Sequence, residues 1–83
     1  MKLKYFSWVA EIIGKRDEII QIPTSIKSLD DLINWLSDKD PKYKDAFNGS
    51  SNIKYAINYR LSKRDARIED KDEVAFFPPM TGG

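Results

Sequence analysis

Leu3 and Tyr5 alternate with Lys2, Lys4 and Phe6 at the start of the chain, the period-two signature of a half-buried strand over residues 2–7. Ser7 is placed to cap a short helix whose Val9, Ile12 and Ile13 share a face, and Gly14 suits its C-terminal turn. Lys15-Arg16-Asp17 reads as a turn into a second strand, residues 18–22, with Ile20 and Ile22 facing inward and Pro23 closing it. The cleanest helical stripe follows: Leu29, Leu32, Ile33 and Leu36 recur at i, i+3, i+4 and i+7 behind Ser28, with Asp31 three residues on as a capping-box variant. Asp40-Pro41 restarts a shorter helix, packed down by Tyr43 and Phe47 and ended by Asn48-Gly49. Ser50-Ser51-Asn52 is a surface turn before a strand over residues 53–58, where Ile53, Tyr55 and Ile57 alternate.

Residues 60–67 gather Arg60, Lys63, Arg64 and Arg67, which could meet an acidic partner or a phosphate; a solvated loop is the preferred account. Glu69, Asp70, Asp72 and Glu73 nearly cancel that charge locally. Val74, Phe76 and Phe77 then favour a final strand, which Pro78-Pro79 must stop because neither proline can donate to a ladder. The order β-β-α-β-β, with the first strand beside the last, predicts an α+β roll: a mixed sheet packed on one main helix. By parity Phe6 and Phe77 point away from the core and lie near each other, forming with Leu61 a candidate partner surface.

Beyond Phe77 six residues remain, enough to reach at most roughly 20 Å. The chain therefore divides into a domain over residues 1–77 and a flexible tail over 78–83. A frayed terminus is the plain account of such a tail. Chance alone ends about one chain in 200 on Gly-Gly, and here the pair follows a strand and a Pro-Pro stop. A tip without side chains can enter a channel that bulkier residues would block, and its reactive group would be the α-carboxylate of Gly83.

Composition removes most other chemistry. Eighty-three residues make one domain with a modest core. The absence of cysteine excludes disulfides and thiolate metal sites, and the absence of histidine removes the commonest general base. A net charge of +1 argues against an electrostatic nucleic-acid binder, and nothing resembles a membrane span or a signal peptide, so a cytoplasmic protein is expected. Asp30-Asp31 and Glu69-Asp70 are sequence neighbours that do not share a face, so neither is an acid–base pair. No catalytic machinery is found. Were sulfur carried at all, the terminal carboxyl would be its attachment point, since the chain has no thiol.

The ending Val74-Ala75-Phe76-Phe77-Pro78-Pro79-Met80-Thr81-Gly82-Gly83, with Lys4-Tyr5-Phe6-Ser7-Trp8, Glu11-Ile12-Ile13-Gly14 and Ala56-Ile57-Asn58, resembles the family of molybdopterin synthase small subunits, ubiquitin-like sulfur carriers. The resemblance implies a β-grasp fold. It also implies adenylation of Gly83 by a ubiquitin-activating-like enzyme using ATP, then conversion to a thiocarboxylate. The tail, Pro78 to Gly83 through Met80, Thr81 and Gly82, would enter the large synthase subunit and deliver sulfur to cyclic pyranopterin monophosphate. No cofactor, nucleic acid or membrane partner is implied for the chain itself.

Three positions depart from the family pattern: Ala10 where Arg is common, Lys71 where Gly usually precedes Asp-Glu, and Asn58-Tyr59 where Asn-Gln is usual. Lys71 would be strained if that turn needs a positive φ. Two other readings stay open. One is a carrier of the same fold serving thiamine or tRNA thiolation, although thiamine-type carriers are usually shorter and lack the Phe-Phe-Pro-Pro approach. The other is a β-grasp binding module with an inert tail.

Overall fold

The computed structural model describes residues 1–48 and 53–79. Its elements are β1 (Lys2–Tyr5), α1 (Ser7–Ile13), β2 (Asp17–Ile19), α2 (Leu29–Lys39), α3 (Pro41–Phe47), β3 (Lys54–Ile57), β4 (Arg60–Ser62) and β5 (Glu73–Phe77). Among the described residues the strands form one mixed sheet in the order β2-β1-β5-β3-β4. β1 and β5 run parallel at its centre, with Leu3 opposite Val74 and Tyr5 opposite Phe76, and the other pairs are antiparallel. This is the α+β roll expected from the sequence, in β-grasp arrangement.

α2 covers one face as its stripe requires. Leu29, Leu32, Ile33 and Leu36 are all buried, on the same core as Leu3, Tyr5, Val74 and Phe76. Its start is fixed locally: the Ser28 hydroxyl accepts the Asp31 N–H at 3.1 Å, and the Asp31 carboxylate accepts the Ser28 N–H at 3.2 Å. Asp40 caps α3 with Pro41 in the first turn, and Tyr43, Ala46 and Phe47 bury a second helical face beside α2.

Several expectations need correction. Ser7 does not cap α1; Phe6 holds the cap position without a side-chain bond, and Ser7, at φ 54°, makes the sharp strand-to-helix turn from inside the helix. Val9 and Ile13 are buried but Ile12 is 42% exposed, so the apolar strip of α1 is narrower than three residues. Gly14 does occupy the left-handed terminal position, at φ 86°. The second strand is Asp17–Ile19 rather than 18–22, because β1 runs out opposite Ile19; Ile20 and Ile22 still pack against the core.

The basic stretch is not simply a solvated loop. Its first residues form β4, an edge strand joined to β3 by the two-residue loop Asn58-Tyr59. The rest straps the start of α2: Leu29 N–H donates to the Ala66 carbonyl (2.9 Å), Asp30 N–H to that of Arg64 (2.8 Å), and Arg64 Nη2 pairs with Asp30 (2.6 Å). Lys71 does not have a positive φ, so no strain follows from its departure. The turn at Ser50-Ser51-Asn52, with Gly49, lies outside the described residues.

Candidate functional site

The site grows from the end of the central strand pair. On β5, Val74 and Phe76 point to the core, which leaves Ala75 and Phe77 on the sheet face without helices. Phe6 is held beside them because its N–H donates to the Phe76 carbonyl at 3.1 Å. The sharp turn at Ser7 then brings Trp8 over the same end. Together Phe6, Ser7, Trp8, Ala75, Phe77, Pro78 and Pro79 line an open, mainly apolar groove of about 660 Å³. Phe6 is 48% exposed, so part of its ring is open to solvent at the groove.

Of the expected surface residues, Phe6, Phe77, Pro78 and Pro79 thus meet in one place. Leu61, 74% exposed, lies on the same face, since it pairs with Ala56, which pairs with Ala75. Two strand spacings, about 10 Å, separate it from Ala75, so it extends the face and does not line the groove. Met80, Thr81, Gly82 and Gly83 lie outside the described residues. From Pro79 four residues can reach at most about 14 Å. Ser7, Trp8 and Ala75 are groove residues not expected from the sequence; the aromatic spacing Phe6-Ser7-Trp8 and the outward parity of Ala75 with Phe77 were the available signals.

The strand end is braced from below. Phe76 is sandwiched by Tyr5 (ring centroids 5.6 Å apart) and Phe47 (4.7 Å). The Tyr5 hydroxyl donates to Glu18 Oε2 at 2.6 Å, and the Tyr43 hydroxyl donates to the same oxygen at 2.5 Å. One carboxylate therefore ties β1, β2 and α3 together. Burial alone would raise the Glu18 carboxyl, but hydrogen bonds from Tyr43, Tyr5 and Lys15 outweigh it and hold it below the ordinary value of 4.5. Burial first, then the hydrogen bond each donates to Glu18 and the charge of that carboxylate, push both phenols upward.

A depressed carboxyl stabilises the fold above its unfolded value, and that contribution is lost as pH falls through the lower folded value. Thermal melts are therefore expected to fall on acidification below pH 4.5, and Glu18→Gln should melt lower at neutral pH with a flatter acid limb. An unchanged acid limb in that variant would show that Glu18 is not the responsible group.

Nothing in the groove is a nucleophile–base pair, and among the described residues no group of three or more acids could hold a metal ion. The groove can hold an apolar partner surface beside the departing chain. No helix is long and apolar enough to cross a membrane among the described residues.

The sequence pattern of the ThiS family matches residues 3–83. A human protein named molybdopterin synthase sulfur carrier subunit is 31% identical over 86 aligned positions, covering 100% of this chain and 93% of its own length. A Pyrococcus furiosus structure titled putative molybdopterin converting factor, subunit 1, superimposes with a TM-score of 0.73 at 29% identity, covering 95% of each chain. SAMP1 from Haloferax volcanii shares the fold, with a TM-score of 0.77 at 24% identity, covering 100% of this chain and 98% of its own.

Proposed function

The chain belongs to the ThiS family, and from that premise we propose that it is the sulfur-carrier subunit of a molybdopterin synthase. The observation that carries this reading is the apolar groove of Phe6, Trp8, Phe77, Pro78 and Pro79, which lies where the chain leaves the sheet toward Gly82-Gly83. Human and Pyrococcus relatives, similar over nearly their whole length, bear names that agree with it. Residues 1–77 act as the docking domain and residues 78–83 as the reactive tail.

A terminal carboxyl, with an ordinary pKa of about 3.5, is ionised at neutral pH and resists nucleophiles. A separate ubiquitin-activating-like enzyme therefore activates it. The Gly83 carboxylate attacks ATP, pyrophosphate leaves, and an acyl-adenylate forms. Sulfur at the sulfide level, supplied by a separate donor, attacks the acyl carbon and displaces AMP to leave a thiocarboxylate. Inside the large synthase subunit that sulfur attacks a carbon of the pterin precursor and displaces an oxygen substituent there. Water then cleaves the acyl–sulfur bond of the resulting thioester, leaving the sulfur on the pterin and the tail as a carboxylate. This chain contributes the docking face and a tip thin enough to reach the chemistry, and it binds no cofactor of its own. The cytoplasm is the proposed setting.

The docking half of the proposal is tested by titrating Phe77→Ala against the purified large subunit. Truncating an aromatic anchor should weaken binding by about 30-fold or more, while the variant still folds, since Phe77 is on the outer face. Undiminished affinity in a folded variant would remove the groove from the interface.

A further inference from the structure

The β3–β4 hairpin has features that the tail chemistry leaves unused. Asn58 and Tyr59 both have positive φ, 50° and 69°, the loop geometry that matches the twist of paired strands. Asn accepts left-handed backbone readily, but an aromatic residue there is strained. Tyr59 recovers little by packing, because it is 83% exposed. A strained residue held at a loop tip is a reason to look for function.

Beside this tip lies a cleft of about 590 Å³ whose lining includes Asn58, Arg60, Ser62, Arg67 and Asp72. In the sequence the nearby acids offset the cations; in space Glu69, Asp70 and Glu73 pair elsewhere, and Asp72, on the cleft wall, is occupied by its own hydrogen bonds. Asp70 accepts the Ile22 N–H at 3.2 Å and stands 3.6 Å from the Met1 amine. Glu73 pairs with Lys4 at 3.9 Å and Glu69 with Lys71 at 3.6 Å. Asp72 takes the Asn58 side-chain amide at 2.9 Å and the Glu69 N–H at 2.8 Å, one on each oxygen. Arg64 is matched by Asp30, but neither Arg60 nor Arg67 has a carboxylate partner among the described residues.

We propose that the hairpin tip and this cleft form a second docking site, for an acidic peptide segment of a partner protein, with Tyr59 as apolar anchor and Arg60 and Arg67 holding carboxylates. Guanidinium forks suit carboxylates, and an exposed Tyr beside them is an interface composition. A net charge of +1 lacks the broad field that nucleic acid requires. The site lies at the far end of β5 from the groove: Asn58 N–H bonds the Glu73 carbonyl, whereas Lys54 stands opposite Phe77. Four residue steps, about 13 Å, separate the two ends, so a partner held here leaves the tail free to react. The proposal does not depend on the sulfur-carrier reading, and either can fail alone.

The test is an amide chemical-shift titration of the full chain with three probes. These are a synthetic hexapeptide of alternating glutamate and leucine, inorganic phosphate, and a short single-stranded oligonucleotide. Peptide-induced shifts are expected at residues 58–62 and 66–67 and not at Phe6 or Phe77. Combining Arg60→Gln with Arg67→Gln should weaken peptide binding about tenfold. Tyr59→Gly should melt higher, because glycine relieves the left-handed backbone, and yet bind the peptide more weakly. Shifts centred elsewhere, unchanged affinity in both variants, or tighter binding of phosphate or oligonucleotide than of peptide would overturn the proposal.

Discussion

A chain lacking Gly82 and Gly83 is expected to fold as the intact chain does and to support no molybdopterin formation in a purified system. The two halves of that expectation have separate physical causes. Folding is unaffected because the core closes at Phe76, which is fully buried, and β5 ends one residue later at Phe77. Activity is lost because sulfur transfer needs a carboxyl at a tip that can enter an active site. Removing Gly83 alone, or appending one residue after it, should have the same effect by moving the carboxyl out of register. Gly82→Ala should hinder insertion, since a Cβ crowds a channel fitted to bare backbone. Matching melts with no product formation support the carrier account. Retained product formation without the two glycines would favour a binding module with an inert tail.

Phe76→Ala should destabilise the fold by about 3–5 kcal/mol, as truncation of a buried aromatic commonly does. Phe76 stacks between Tyr5 and Phe47 and meets Tyr55 edge-on at 5.9 Å, so its removal opens a cavity shared by β1, β3 and α3. None of these partners can close it cheaply: Tyr5 is anchored through its hydroxyl to Glu18, and Phe47 is fixed on α3. The loss should appear in denaturant melts with little change in slope. A loss under about 1 kcal/mol would show that β5 does not carry the centre of the core.

How much of this was legible depended on whether the signal was local. The α2 stripe, its Ser28–Asp31 capping box, the Asp40-Pro41 restart and the Gly14 terminus are all short-range patterns, and all appear. So does the outward parity of Phe6 and Phe77, because strand alternation fixes facing without knowledge of partners. β4 was missed because Arg60-Leu61-Ser62 has a single apolar residue, and that residue faces solvent. An edge strand needs no buried face, and its mark was instead the two-residue loop at Asn58-Tyr59. The extent of β2 was misjudged because Ile20 and Ile22 do reach the core, but pairing stops where β1 begins. The Glu18 clamp joins residues 13 and 25 positions apart, and no local pattern announces such a contact. The same holds for the acids near residue 70, whose partners at Met1, Lys4 and Ile22 exist only in the fold.

The central claim is that Gly83 carries the sulfur, and the most direct measurement is mass spectrometry of the chain after incubation with the activating enzyme, ATP and a sulfur donor. The account predicts that one oxygen is replaced by sulfur, that the change maps to the peptide ending at Gly83, and that hydrolysis reverses it. A chain whose mass is unchanged although ATP is consumed, or whose added sulfur maps to any other peptide, would contradict it.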